Sequence, residues 1–266
     1  MEDFFIVGVG KCGTSSLHRY LGQHPGISVS DPKETNFFIN EEGSYERFFR
    51  PSGATVRGEA TPEYFHRGYV VDRIREYNPD SRIIIIIRNP VDRAYSHYRY
   101  DAMSFKEGRT FGNAIREDHG NWDGGPHSRN IIRPGMYSEF IPMWTDAFSE
   151  SRVLILKYEE FFKDPASEIR AVFRFLGVPD HDIGVQVAHN TTVELKRGSM
   201  YGVAMSRYGR LARRIFPNAV KGRLATMMYN KTAAIPPMPE EDRRFLTDIY
   251  AGELEEYYGS GDGRQA

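Results

Sequence analysis

A single cysteine, Cys12, occurs among the 266 residues of this chain. One cysteine excludes an internal disulfide and any metal cluster held by several cysteines. Such low cysteine usage fits a reducing compartment. Cys12 itself has two interpretations, a reactive thiol or a small residue that fills a tight turn.

Net charge and long apolar runs are also lacking. The 35 basic residues nearly balance the 36 acidic ones, so no overall positive field favours nucleic acid as a partner. The purest apolar run covers Ile83 to Ile87, whereas a membrane-spanning helix needs about 20 residues. The sequence does not open with a basic region and an apolar stretch, so no signal peptide is expected. These features predict a cytoplasmic protein, or a catalytic domain of a longer one.

The length of the chain predicts one large domain with a substantial core. We expect this domain to cover residues 1–258 and a disordered tail to cover 259–266. Short apolar segments alternate with helical patterns, which predicts an α/β fold with a central parallel sheet flanked by helices. The predicted strands are Phe4–Val7, Ile27–Ser30, Arg82–Ile87 and Val153–Leu156. The main predicted helices after the first are Tyr69–Tyr77, one that begins at Pro90, Gly135–Phe148, Pro165–Leu176 and Glu240–Tyr258.

The most informative stretch runs from Phe4 to Leu21. It predicts a strand, a glycine-rich turn and a helix. The N–H groups of such a turn point into one concavity, and the helix N-terminus adds partial positive charge. Lys11 adds a full charge, and hydroxyl donors come from Thr14, Ser15 and Ser16. The stretch therefore predicts a site for phosphate or a similar oxyanion, against the alternative of a turn that binds nothing.

This turn differs from the standard nucleotide triphosphate loop. That motif places a lysine directly after its second glycine. Gly8 and Gly13 have the separation of the motif, but Thr14 follows the second glycine and the lysine comes earlier, at position 11.

A second candidate site lies in the stretch DPKETNFF. Glu34 stands beside Lys33 and shortly before Phe37 and Phe38. A carboxylate held near apolar walls can have a raised pKa and act as a base. The alternative is a surface ion pair over a small aromatic anchor, and the stretch by itself favours that alternative.

A third candidate follows the predicted strand Arg82–Ile87. Arg88 comes directly after the strand, Pro90 begins a helix, and Ser96 lies two turns further on. Open α/β sheets bind their ligands at the carboxyl ends of the strands, so Arg88 and Ser96 could share one anion. The alternative is a solvated basic helix face.

Three further segments have less specific patterns. Gly58–Phe65 predicts a loop fixed by Pro62, and Lys196–Ser199 predicts a basic loop. Only positive charges occur from Arg207 to Arg223, which predicts a docking surface for an anionic acceptor or a membrane. The alternative for this last segment is a solvated amphipathic helix.

Taken together, these motifs resemble the sulfotransferases that use 3′-phosphoadenosine 5′-phosphosulfate (PAPS). The similarity is greatest to the branch that contains the heparan sulfate N- and O-sulfotransferases and their bacterial relatives. It runs from about Phe4 to Ser199 and rests on GVGKCGTSSL, DPKETNFF, IIIIIRNPVDRAYSHY, VLILKYEEFFKDP and FRFLGVP. The resemblance implies a P-loop-like nucleotide-binding fold and an enzyme.

The resemblance also implies a role for individual residues. Lys11 would stabilise charge on the bridging oxygen of the donor, and Glu34 would take the proton from an acceptor hydroxyl or amine, with Lys33 nearby. The residues that would bind the 5′-phosphosulfate are Lys11, Cys12, Gly13, Thr14, Ser15 and Ser16. Those that would bind the 3′-phosphate are Arg88 and Ser96, with the late basic loop of Lys196, Arg197 and Gly198.

The implied reaction moves the sulfuryl group in line from PAPS to an acceptor and leaves adenosine 3′,5′-bisphosphate. Positioning and cationic stabilisation would suffice, by analogy with phosphoryl transfer, so no metal is expected. The expected acceptor is a carbohydrate, a glycolipid or a small metabolite with a hydroxyl or amine. Two other hypotheses stay open, a nucleotide kinase or NTPase and a non-catalytic module that binds adenosine 3′,5′-bisphosphate.

Three departures from the heparan sulfate enzymes concern the acceptor. Ala60 stands where those enzymes commonly have lysine, and Asn36 stands where several have histidine. The disulfide of many Golgi members is absent, because the chain has one cysteine. These differences argue against a heparan-type acceptor and leave donor binding untouched.

Overall fold

The structure is a computed structural model that describes residues 2–40, 42–105, 109–121, 130–184 and 237–259. The chain divides into two compact units. The larger unit comprises residues 1–98, 109–187 and 239–266, and the smaller comprises 99–108 and 188–238. The contacts discussed below all lie within the larger unit. The expected boundaries of the domain and its tail stay predictions.

Five strands form one sheet in which every neighbouring pair is parallel. Their order across the sheet is β2-β3-β1-β4-β5. The strands are β1 (Glu2–Gly8), β2 (Ile27–Val29), β3 (Val56–Ala60), β4 (Arg82–Ile87) and β5 (Val153–Lys157). Parallel neighbours need crossover connections, and helices flank the sheet in consequence. The predicted α/β fold is thereby confirmed.

The helices that the sequence predicts are present with small changes at their ends, and the structure adds short helices at Phe37–Asn40 and Tyr158–Lys163. Those up to the third strand are α1 (Thr14–Leu21) and α2 (Phe37–Asn40). Those that follow are α3 (Gly68–Tyr77), α4 (Pro90–Phe105), α5 (Phe111–Gly120), α6 (Tyr137–Phe148), α7 (Tyr158–Lys163), α8 (Pro165–Leu176), α9 (Glu240–Ile249) and α10 (Ala251–Tyr258). The last two replace one predicted helix, because the backbone breaks at Tyr250, whose hydroxyl donates to the carbonyl of Ile132 over 2.6 Å. Within the described ranges, no helix is both long and apolar enough to cross a membrane.

The core lies around the two central strands. Ile83 to Ile87 of β4 and Phe4 to Val7 of β1 are fully buried. Burial of one such side chain stabilises the fold by about 1.5–3 kcal/mol. Since both faces of the sheet are covered, these strands contain apolar residues at successive positions rather than in alternation. Their carboxyl ends therefore present the following loops from a rigid base.

The strand β3 is missing from the sequence-based prediction. The expected loop over Gly58–Phe65 is wrong at its start, because Gly58, Glu59 and Ala60 belong to this strand. β3 pairs with β1 on one edge and with β2 on the other. Its sequence, VRGEA, contains two charged residues and a glycine, so no apolar pattern indicates it. Pairing on both edges places it in the sheet.

Gly58 is required by the close approach of β1. A Cβ atom at this position would overlap the carbonyl oxygen of Phe4, a backbone atom that cannot rotate away. We therefore expect Gly58→Ala to lower the free energy of unfolding by about 1–3 kcal/mol or more. Urea unfolding measures this loss. Gly53→Ala is the matched control, because a Cβ there meets nothing within 4 Å. Equal midpoints for both variants would contradict the close packing.

Candidate active site

The loop between β1 and α1 folds into a tight curl. Val9 donates its N–H to the carbonyl of Ile86 in β4, and Cys12 donates its N–H to the carbonyl of Val9. Lys11 and Gly13 both have left-handed backbones, with φ of 74° and 94°. A Cβ on Gly13 would come within 2.8 Å of the Phe162 ring, so that position also needs glycine for space.

The N-terminus of α1 presents unused donors. Ser16 and Leu17 donate their N–H groups to the carbonyl of Gly13, and no described side chain caps the helix. Among the described residues, this leaves the N–H groups of Thr14 and Ser15 without an acceptor. The Ser16 hydroxyl is buried and likewise has no partner in this part of the chain. Buried polar groups are normally satisfied, so the Ser16 hydroxyl and these helix N–H groups together form a candidate site for an anion.

Lys33 connects this helix end to Glu34. The Lys33 ammonium donates to the hydroxyl of Ser15 over 3.2 Å and to that of Thr14 over 3.5 Å. The same Nζ atom lies 2.8 Å from the Glu34 carboxylate. The side chain of Glu34 is 47% exposed, so an acceptor molecule can reach it. The structure thus brings together two candidates that the sequence treats separately, the loop and the carboxylate.

Arg88 lies beneath the same loop at the carboxyl end of β4. Its guanidinium donates to the carbonyl of Lys11 over 3.3 Å and stacks 4.3 Å from the centre of the Tyr158 ring. Its backbone exchanges hydrogen bonds with the hydroxyl of Tyr137. Ser96 lies further along α4 and is half-buried. The anion that Arg88 and Ser96 are expected to share stays a prediction.

Cys12 packs into the core, and its thiol donates to the carbonyl of Gly10 in the same loop over 3.8 Å. Its side chain is fully buried, and burial raises the pKa of the thiol to about 12. The thiol therefore stays neutral, as expected for a small residue that fills a turn. The N–H of Cys12 already donates to the carbonyl of Val9. The predicted role of Cys12 in binding PAPS therefore stays a prediction, which neither its thiol nor its N–H supports.

Arg93 differs from the solvated helix face that the sequence allows. Its side chain is fully buried, and its guanidinium donates to the carbonyl of Ile131. The predicted late basic loop of Lys196, Arg197 and Gly198 lies outside the described residues, as does the basic segment Arg207 to Arg223.

The largest omission of the sequence reading is a buried carboxylate at the end of β3. Glu59 is fully buried and receives hydrogen bonds from Thr35, Thr61 and Tyr64. Burial raises the pKa of its carboxyl, and these hydrogen bonds oppose the shift. In the sequence, the only sign of this buried carboxylate is the pair of polar residues Glu59 and Thr61 next to Pro62. Such a composition is also typical of an ordinary exposed loop.

A histidine near this loop makes stability depend on pH. His97 Nδ1 lies 3.5 Å from the Arg93 guanidinium. Burial, together with the charges of Arg93 and Lys11, lowers the pKa of His97 to about 3. Since the unfolded histidine takes up its proton near pH 6.5, folding loses stability as the pH falls from about 6.5 towards 3.

We expect this residue to lower the free energy of unfolding by up to about 2 kcal/mol between pH 7 and pH 5. Above pH 6.5 the histidine is neutral in both states and contributes no pH dependence. Urea unfolding at a series of pH values measures the effect. Burial also lowers the pKa values of His18 and His66 to about 4, so these residues add to the same slope. His97→Gln should reduce the slope over this interval without abolishing it, and an unchanged slope in that variant would contradict the assignment.

Comparisons with known proteins agree on one family. The model of the sulfotransferase domain family matches residues 1–215. Bifunctional heparan sulfate N-deacetylase/N-sulfotransferase 4 of Mus musculus is 26% identical over 273 residues, which cover 94% of this chain and 29% of the relative. Heparan sulfate glucosamine 3-O-sulfotransferase 6 of Homo sapiens is 32% identical over 183 residues, which cover 65% of this chain and 51% of the relative. The chain thus spans about half or less of the length of these curated relatives.

A solved structure supports the same family. The sulfotransferase from Alicyclobacillus acidocaldarius superposes with a TM-score of 0.72 at 25% identity. The match covers 96% of this chain and 93% of that protein. The chain therefore belongs to the sulfotransferase family of enzymes.

Proposed function

We propose that this protein transfers the sulfuryl group of PAPS to a hydroxyl or amine of an acceptor, with Glu34 as the base. The observation that carries the proposal is the position of Lys33, whose ammonium contacts Ser15 at the start of α1 and the Glu34 carboxylate. A single side chain thus joins the candidate anion site to the candidate base. If the anion site and the base lay far apart, the sulfuryl group could not pass directly from PAPS to an acceptor held at Glu34.

The β1–α1 loop fits the 5′-phosphosulfate of the donor. The N–H groups at the start of α1 and the buried Ser16 hydroxyl supply donors that the described protein does not use itself. The helix dipole and the Lys11 ammonium supply positive charge. Arg88 would bind the 3′-phosphate from the carboxyl end of β4, with Ser96 and the late basic loop as further candidates.

Bound PAPS supplies an activated sulfuryl group. The acceptor oxygen or nitrogen forms a bond to sulfur while the bond from sulfur to the bridging oxygen breaks. Glu34 takes the proton that the acceptor loses. Lys11 offsets the negative charge that builds on the bridging oxygen, which stays with adenosine 3′,5′-bisphosphate. Positioning and charge stabilisation by these residues account for the step.

The proposed acceptor is a carbohydrate, a glycolipid or a small metabolite. The curated relatives carry names that refer to heparan sulfate, which favours a sugar. Ala60 is fully buried and Asn36 has no acidic or basic group, so the acceptor side differs from the lysine and histidine expected of heparan-type enzymes. A sugar or glycolipid other than heparan sulfate fits these residues best.

Calorimetric titration without magnesium tests the donor site. Adenosine 3′,5′-bisphosphate should bind, whereas AMP and ATP should bind more weakly because each lacks the 3′-phosphate. Transfer of 35S from labelled PAPS to a panel of amino sugars, oligosaccharides, glycolipids and phenols then tests the reaction. Equal or tighter binding of ATP, especially with magnesium, would support a nucleotide kinase or NTPase instead.

A further inference from the structure

We propose that Glu59 is a positioning residue that holds the segment Lys33–Phe38, and with it the carboxylate of Glu34, at the start of α1. The proposal rests on the proposed role of Glu34 as the base. It adds a residue that never meets substrate and acts only through the backbone next to that base.

The buried carboxylate of Glu59 accepts four hydrogen bonds. The N–H of Thr35 donates to Oε2 over 3.2 Å, and the hydroxyl of Thr35 donates to the same oxygen over 2.6 Å. The hydroxyl of Thr61 also donates to Oε2 over 2.6 Å, and the hydroxyl of Tyr64 donates to Oε1 over 3.0 Å. Because every contact is a donor, the carboxylate acts as an acceptor at both oxygens.

The same three hydroxyls accept backbone N–H groups in turn. Asn36 donates to Thr61 Oγ1 over 3.4 Å, Phe37 donates to Thr35 Oγ1 over 3.1 Å, and Phe38 donates to the Tyr64 hydroxyl over 3.2 Å. A hydroxyl has one proton, so giving it to Glu59 turns the lone pairs towards these N–H groups. Four successive N–H groups, from residue 35 to residue 38, are thus arranged by one carboxylate.

Glu34 lies between this network and a second fixed point. The carbonyl of Lys33 accepts the N–H of Ala60 over 3.2 Å and the hydroxyl of Ser30 over 3.0 Å. The backbone is therefore held on both sides of Glu34, directly before it by β3 and directly after it by Glu59. A base needs its carboxylate within hydrogen-bond reach of the proton, so a loose segment would lower turnover.

Stability alone does not explain a carboxylate at this place. Removing a charge from water costs several kcal/mol, and an apolar residue of similar size is often equally stable or more stable. Glu59 instead binds Thr35, in the segment between Lys33 and α2, and Lys33 is the residue that contacts both Glu34 and the start of α1. We infer that the buried carboxylate of Glu59 serves to fix the backbone conformation of residues 35–38.

Hydrogen exchange of the backbone amides tests the network without an acceptor. Glu59→Leu removes all four acceptor contacts, and we expect exchange of residues 35–38 to accelerate about 10-fold or more. Glu59→Gln keeps one carbonyl oxygen and should give an intermediate rate. Thr61→Val keeps the charge and should release Asn36, so it serves if Glu59→Leu does not fold. Unchanged protection of these amides in all the folded variants would overturn the proposal.

A double-mutant cycle tests whether Glu59 acts through Glu34. The probe is turnover of PAPS with water as the acceptor, measured together with the affinity for adenosine 3′,5′-bisphosphate. Glu59→Gln should lower kcat with the donor KM unchanged, and this loss should vanish in a Glu34→Gln background. Multiplied losses in the double variant would overturn the proposal, because a merely structural effect does not depend on Glu34.

Glu253→Gln is the matched control. Its carboxylate is also buried and accepts the N–H of Ser138 over 2.9 Å, but it lies on α10 against α6. The variant should lose stability without faster exchange of residues 35–38. Failure of the proposed function has a different signature, because then wild type fails to bind adenosine 3′,5′-bisphosphate or Glu34→Gln keeps full turnover.

Discussion

Glu34→Gln is expected to lower turnover at least about 100-fold and to leave the affinity for adenosine 3′,5′-bisphosphate nearly unchanged. Glutamine keeps the size of the side chain but cannot take the proton that the acceptor loses. The contacts of Lys33 with Ser15 and Thr14 do not involve Glu34, so the donor side should persist. Transfer of 35S at saturating PAPS measures the loss, and calorimetry measures the affinity.

The matched control for this variant is Glu42→Gln. Glu42 is an exposed carboxylate in the same part of the sequence, so its replacement removes the same charge away from the α1 loop. It should keep full turnover. Full turnover of Glu34→Gln would remove the base from the proposed mechanism, whereas equal losses in both variants would mean that net charge matters and not proton transfer.

Arg88→Ala is expected to weaken binding of adenosine 3′,5′-bisphosphate by about 30-fold or more. Hydrogen bonds between a guanidinium and a phosphate are charge-assisted, and loss of one partner of such a pair costs about 2–5 kcal/mol. Titration of the wild type and the variant without magnesium measures the change. The expected result is a selective loss, since the proposed contact of Arg88 is one that only a 3′-phosphate would make.

AMP provides the control for the second role of Arg88. Its guanidinium also holds the carbonyl of Lys11 and stacks on Tyr158, so the variant can loosen the loop that binds the 5′ end. That effect weakens AMP and adenosine 3′,5′-bisphosphate equally. Equal losses for both ligands would therefore assign Arg88 to support of the loop, and the 3′-phosphate site would have to lie elsewhere.

Local patterns were sufficient for most of the sheet and for the loop at its centre. The β4 strand consists of five consecutive isoleucines after Arg82, and its predicted bounds agree with the structure. The same holds for α8, which begins at Pro165 and ends before Gly177 with a left-handed φ of 73°. These elements are visible because apolar runs, prolines and glycines act over a few neighbouring residues.

Residues with nonlocal partners were not visible in the same way. Arg93 lies on α4, where the sequence allows a solvated helix face, yet its side chain is buried and its guanidinium donates to the carbonyl of Ile131, 38 residues further along the chain. Glu59 resembles a loop residue, and its donor Thr35 lies 24 residues earlier in the chain. The two residues of each pair lie too far apart in the sequence for a local pattern to include both. Neither residue type nor periodicity therefore predicts these contacts.

Short motifs in a fixed order were sufficient to predict the parallel α/β architecture, the glycine-rich β1–α1 loop and the family. The position of Glu34 close to that loop depends instead on contacts between distant segments. The ion pair of Glu34 with Lys33 is local, but the contact of Lys33 with Ser15 requires β2 and β3 to bring two distant segments together. The buried carboxylate of Glu59 holds that segment, and its role depends on packing that no local pattern records.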